Sequence, residues 1–200
     1  MYGMVRLEDT IRIPPDKFSK DLNEVVTKIV QKTFEGSMKK NYGIIVVTDN
    51  IEPIGDGTVI HGDGAMYQKV EFDALTFKPE LQEVIDAVIC EIVEFGAFCH
   101  IGPLDALIHM SQIMNDYVEV DSDNEVITGR EKKEKLKTGD TVRARVVAVS
   151  LNELSARESK IGLTMRQPSL GSHEWIYAEE AEEETKNKEK KKKKKAKAKK

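Results

Sequence analysis

Ring side chains and arginines carry the chemistry open to this chain. Phe95, Phe98, His100 and His109 fall within one glycine-punctuated stretch, EFGAFCHIGPLDALIHMSQI, from Glu94 to Ile113. Over Ala97 to Ile101, strand alternation sends Phe98 and His100 to one face and Ala97, Cys99 and Ile101 to the other. Phe95, beside Gly96, and His109, in the next strand, join them as four flat rings on one side of a sheet. Such a surface stacks unpaired bases, each contact contributing roughly 1–3 kcal/mol with little regard for sequence. Farther along, Val142, Ala144 and Val146 alternate with Arg143 and Arg145, which predicts an apolar inner face and a basic outer one able to neutralise phosphates. The same short apolar runs also suit ordinary core phenylalanines, and alternation alone leaves both readings open.

Other chemistry finds little support. The run His61-Gly62-Asp63-Gly64 sets an imidazole near a carboxylate, but it lacks metal-motif spacing, and Asp and Gly there suit a turn needing positive φ. Asp105, Asp116, Asp121 and Asp123 do not form a carboxylate pair that would fix a reacting centre. Cys90 and Cys99 lack CxxC or Cys/His spacing and read as reduced apolar residues. No nucleophile-base arrangement or phosphate loop is present, so the sequence predicts no catalytic residue, metal, cofactor or small-molecule substrate.

The rings and arginines need a sheet to position them. Glu83 to Val93, Ala97 to Ile101, Ala106 to Met110, Thr141 to Ser150 and Lys160 to Met165 read as five short strands around a polar insert. That spacing predicts an all-β, five-stranded OB-fold barrel over residues 81–178, with strands two and three as the exposed binding face. Residues 1–80 read as a separate α+β unit. Val5 to Ile13 is a strand, Pro14-Pro15 stops it, and Asp16 is placed to cap a helix. Apolar residues recur at three- and four-residue steps from Phe18 to Phe34, and Gly36 can end the helix. Gly43 to Thr48, Thr58 to Ile60 and Val70 to Phe77 supply strands, so one long helix would pack on a small antiparallel sheet.

Two hundred residues, 40% hydrophobic, suffice for two modest cores. No apolar run approaches the roughly 20 residues of a membrane helix, and the amino terminus has no signal-peptide core, which predicts a soluble cytoplasmic protein. The total charge of −4 conceals an uneven distribution. Residues 186–200 hold 11 Lys and one Glu, leaving 20 basic and 34 acidic residues before them, a body of net −14 beside a tail of +10. The segment 179–200 therefore reads as a disordered acidic-then-lysine-rich tail. Its lysines can attract nucleic acid through counterion release, or form a solvated end that touches the acidic run beside it. An acidic body argues against broad coating of nucleic acid, so any such site must be local.

The order strand, F-G-A-F, strand, L-I-H-M-S-Q-I, insert, then G-D-T-V-R-A-R-V resembles the RNA-binding domain named after ribosomal protein S1. That resemblance implies RNA contact by Phe95, Phe98 and His109, with help from Arg145. The family often has an acidic residue at the end of the fourth strand and a basic one soon after. Here Ser150 is followed by a longer loop, Leu151 to Ser159, with Lys160 as the basic candidate. Over nearly all the chain before the tail, I-R-I-P-P, V-I-H-G-D-G-A-M-Y, V-E-F-G-A-F, V-R-A-R-V-V-A-V-S and S-K-I-G-L-T-M-R-Q-P-S-L-G resemble the family of archaeal E-type (E-prime) RNA polymerase subunits, counterparts of the seventh-largest subunit of eukaryotic RNA polymerase II. The resemblance implies a non-catalytic stalk subunit that pairs with the smaller F-type polymerase subunit, docks on the polymerase core through its amino-terminal domain, contacts emerging single-stranded transcript through the barrel and supports initiation. A free-standing S1-type adaptor in translation initiation or RNA degradation is the alternative.

Overall fold

The computed structural model describes residues 1–18, 21–121, 124–131, 133–153 and 158–178. The tail 179–200, Asp123 and the centre of the loop before Lys160 lie outside the described residues. The chain divides into two compact units. Among the described residues, one comprises those of Met1–Glu80, Gly102–Leu104 and Val149–Lys160, and the other those of Leu81–Ile101, Asp105–Ala148 and Ile161 onward.

The first unit contains β1 (Tyr2–Ile13), α1 (Leu22–Phe34), β2 (Met38–Lys39), β3 (Gly43–Val59) and β4 (Met66–Phe77). Its antiparallel sheet has the order β1-β4-β3-β2. Strand β1 pairs with β4 along its whole length, from Tyr2 opposite Phe77 to Ile13 opposite Met66. The helix starts later than the sequence reading expects. Asp16 lies inside a short 3-10 turn, Pro15–Lys17, and Asp21 caps α1 instead by accepting the Asn23 N–H at 3.0 Å. The prolines complete one tight turn first, so the helix begins only when the chain is free of them. Val25, Val26 and Val30 then pack on Ile11, Ile13, Ile45, Val70, Phe72 and Ala74. Each fully buried aliphatic side chain of this kind contributes roughly 1.5–3 kcal/mol. Phe34 meets Phe72 with ring centroids 4.9 Å apart. Beyond the helix end, the Glu35 carboxylate accepts both the N–H and the hydroxyl of Thr48, each at 3.0 Å, fixing the helix to β3.

Strand β3 also departs from expectation. Gly55-Asp56-Gly57 does not separate two strands but sits within one long strand, with register shifts at Ile45/Val47, Asp49/Glu52 and Ile54/Thr58. Bulges absorb the extra residues while the strand continues. Buried Gln68 secures the last of them, its Nε2 donating to the carbonyls of Ile54 at 3.0 Å and Gly55 at 3.1 Å.

The second unit contains β5 (Val84–Val93), β6 (Gly96–His100), β7 (Asp105–His109), β8 (Val118–Asp121), β9 (Val126–Gly129), β10 (Lys135–Lys137), β11 (Thr141–Ser150), β12 (Lys160–Thr164) and β13 (Gly171–Ser172). The order β12-β7-β6-β5-β11 closes through a further β12–β11 pairing into a five-stranded, OB-like barrel, with β13 on β11. Ala87, Ile89, Ala97, Cys99, Ile108, Val142, Ala144, Val146 and Leu163 fill it, all buried. Small side chains let the barrel close tightly. At Gly96 a Cβ would lie 2.2 Å from the Ile108 carbonyl oxygen, so β6 and β7 approach too closely there for any side chain.

The insert between β7 and β11 is structured. Strands β8, β9 and β10 form a separate antiparallel sheet of order β10-β9-β8. The sequence reading treats this stretch as polar because its strands bury few large residues, chiefly Ile127 and Leu136.

Candidate nucleic-acid interface

Register decides which rings share a face. Gly96 pairs with His109, Phe98 with Leu107 and His100 with Asp105, while Ala97–Ile108 and Cys99–Ala106 form the intervening pairs. The intervening set is the buried one, so Phe98, His100 and His109 lie on the outer face of β6 and β7. Phe95 is 49% exposed at the bend before β6, and Phe98 is half-buried. Their rings meet edge to face, with centroids 6.1 Å apart at 87°. Neither belongs to the barrel interior. The Met110 N–H donates to the Phe95 carbonyl at 2.9 Å, which brings the end of β7 beside the bend. His109 caps the turn Met110–Gln112, its Nδ1 3.2 Å from the Ser111 nitrogen and 2.9 Å from the Ser111 hydroxyl. Its ring is thus held in place beside the phenylalanines. His100 shares the face, but its Nδ1 is engaged by the Asp105 carboxylate. Glu91, opposite Phe98 on β5, also puts a carboxylate beside the rings.

The basic residues from the sequence lie on β11 and β12. Arg143 lies on β11, across β5 from β6, and its Nε is 3.2 Å from the Asp86 carboxylate. His173 Nε2 approaches the same oxygen at 3.2 Å. Partial burial pushes the Asp86 carboxyl up, but hydrogen bonds from His173 and Arg143 outweigh it and hold the group below its usual range. Half-buried Arg145 stands opposite Val84, and its buried Nε has no hydrogen-bond partner among the described residues. Lys160 is exposed at the start of β12, in the segment grouped with the first unit. Phe95, Phe98, His100 and His109 therefore come to one face of β6 and β7, while Arg143 and Arg145 stand on β11 and Lys160 opens β12.

A cation that sequence reading misses stands next to His109. The Nε of Arg166 donates to Asn115 Oδ1 at 2.7 Å, Nη1 donates to the Ser111 carbonyl at 3.2 Å, and Asn115 Nδ2 donates back to the Arg166 carbonyl at 3.0 Å. Arg166 follows β12 and its asparagine partner is 51 residues away, so no local periodicity could have pointed to the pair.

The His61-Gly62-Asp63-Gly64 run forms a turn with a structural role. Asp63 accepts from Arg12 at 2.6 and 2.9 Å and from the Tyr67 hydroxyl at 2.7 Å. Those hydrogen bonds, led by Arg12, lower its carboxyl to about 2. Buried Cys99 donates its thiol to the Ala106 carbonyl at 3.5 Å, and burial pushes that thiol up to about 12, where the reactive thiolate is scarce. Among the described residues no group of three or more His, Cys, Asp or Glu is placed to hold a metal ion, and no helix is long and apolar enough to cross a membrane.

Known proteins share this two-part organisation. Residues 8–64 match the SHS2 domain found in the N terminus of Rpb7p/Rpc25p/MJ0397, and residues 78–160 match the S1 RNA binding domain. DNA-directed RNA polymerase subunit Rpo7 of Saccharolobus shibatae is 37% identical over 176 residues, covering 88% of this chain and 97% of that protein. The chain belongs to the Rpo7 family of RNA polymerase subunits. The likeness of this Rpo7-family chain extends to eukaryotes. DNA-directed RNA polymerase II subunit rpb7 of Dictyostelium discoideum is 24% identical, over 82% of the Rpo7-family chain and 99% of its own length. Among solved structures, GSP13 from Bacillus subtilis is 24% identical, with a TM-score of 0.33 over 44% of the chain and 57% of that protein. Membership in the Rpo7 family makes the chain one component of a multi-subunit DNA-directed RNA polymerase.

Proposed function

We propose that the chain is a non-catalytic stalk subunit which pairs with the smaller F-type polymerase subunit, docks on the core through its first unit and holds emerging single-stranded RNA against the barrel. The observation that carries the RNA reading is the exposed ring face, Phe95 and Phe98 edge to face with the fixed ring of His109 alongside. Unpaired bases can stack on such rings whatever their sequence. Glu91 and Asp105 lie on the same face, so affinity for an isolated oligonucleotide should be modest. Docking supplies the remainder, because a tethered site meets the transcript at an effective concentration in the millimolar range. The same support for the transcript would aid initiation. The catalytic step of the polymerase is then left to other subunits.

Affinity purification of the tagged chain from its native cells, after nuclease treatment and at moderate salt, tests the assembly. Recovery of a small partner with the large polymerase subunits is the expected result. Recovery of ribosomal or RNA-degradation proteins without polymerase would replace this reading with that of a free adaptor.

A further inference from the structure

Beside the ring face lies a hollow of about 520 Å³, bordered by His109, Ser111, Asn115, Tyr117, Glu131 and Arg166. Its floor is organised around Arg166. Asn115 and the Ser111 carbonyl hold two nitrogens of the guanidinium, and among the described residues no carboxylate pairs with it. Asp116, one of two acids in the lining, accepts the Tyr117 N–H at 2.6 Å through one oxygen and the Glu131 N–H at 2.7 Å through the other. Tyr117 is 78% exposed, a flat ring at the rim. His109 belongs both to this rim and to the outer face that carries Phe98.

The geometry points to this hollow as a one-nucleotide RNA subsite that extends the ring face: Arg166 binds the phosphodiester, Tyr117 stacks the base, and His109 joins the two surfaces. The inference rests on the RNA-binding reading above and adds a place for the next nucleotide of the strand. An oriented guanidinium matches a phosphate through paired N–H groups, and an exposed aromatic ring stacks any base. Glu131 leaves one carboxylate at the rim. It can accept a hydrogen bond from a ribose hydroxyl but repels a second phosphate, which suits a single nucleotide better than a polyphosphate group. The volume also lies in the range of small-ligand sites. With this subsite the phosphate charge near the rings is met by Arg166, a role Arg143 cannot fill while paired with Asp86.

The test is fluorescence anisotropy of the full chain with a labelled oligouridine of roughly 12 nucleotides, within the span of one OB fold, across a salt series. Tyr117→Ala should weaken binding about ten-fold with an unchanged salt slope. Arg166→Gln should weaken binding and lower the salt slope by about 0.7, the loss of one phosphate contact on a single strand. Thermal melting checks that Arg166→Gln still folds, and Tyr117→Ala removes a ring that makes no side-chain hydrogen bond among the described residues. Phe98→Ala separates the two readings. If it weakens binding while the Tyr117 and Arg166 variants match wild type, the subsite is wrong and the ring face stands. If wild type fails to bind the oligonucleotide, both are wrong.

Discussion

In the first unit Phe72 and Phe77 are 1% and 6% exposed and Phe34 packs on Phe72, whereas in the barrel Phe95 is 49% exposed, Phe98 is half-buried and the interior is built from Ala, Val, Ile, Leu, Cys and Met. Phe18, before α1, is the exposed exception in the first unit. A broad sheet covered by one helix has a wide gap to fill, and the rings of Phe72 and Phe34 fill it. A closed five-stranded barrel has a narrow interior that alanines and β-branched residues suffice to fill, so rings on its strands must face outward. The same residue type therefore serves as volume in one unit and as contact surface in the other.

Mutations can break that comparison in order of size. Phe72→Ala should cost about 3–5 kcal/mol of stability, the usual range for a buried phenylalanine, read by urea denaturation. A loss below about 1 kcal/mol would mean that the ring is not the core element its burial indicates. Gly96→Ala comes next. Its new Cβ would meet the Ile108 carbonyl at 2.2 Å, and forcing β6 and β7 apart should cost about 1–3 kcal/mol, in the range of an overpacked core. RNA affinity should fall in parallel because the same shift displaces the rings.

The smallest effect concerns the Arg12–Asp63–Tyr67 cluster. Asp63 titrates at about 2 rather than its ordinary 3.8, so its folded value lies below the unfolded one. The stability it contributes is therefore complete above about pH 4 and is lost as pH falls through about 2. Being exposed, the cluster should leave global unfolding nearly unchanged. An NMR titration of the Asp63 carboxyl should find a midpoint near 2, and one at the ordinary carboxylate value would show that Arg12 and Tyr67 do not hold it in solution.

Much of this was legible in the sequence for physical reasons. Alternation and turn glycines marked the barrel strands, with β5 beginning one residue later than expected, at Val84. Three- and four-residue spacing marked α1. The departures arose where a local turn displaced an expected element or where the partner was distant. Asp16 suited a cap by type and position, but the turn Pro15–Lys17 encloses it and Asp21 caps the helix instead. Gly55 and Gly57 marked a break, but Gln68, more than ten residues away, bridged the bulge that kept β3 continuous. Strands β8 to β10 bury too few large residues to stand out. Phe98 and His100 were legible as one face because they alternate along a single strand. Arg166 was not, since its orientation comes from Asn115 and Ser111, far away in sequence.

The most direct test of the central claim pairs two readouts on Phe98→Ala in the full chain: oligouridine affinity by anisotropy and stability by thermal melting. The account predicts affinity reduced about five- to ten-fold, the scale of one stacked base, with a melting temperature close to wild type. Wild-type affinity, or a collapse of stability comparable to that of Phe72→Ala, would contradict it and return Phe98 to the core.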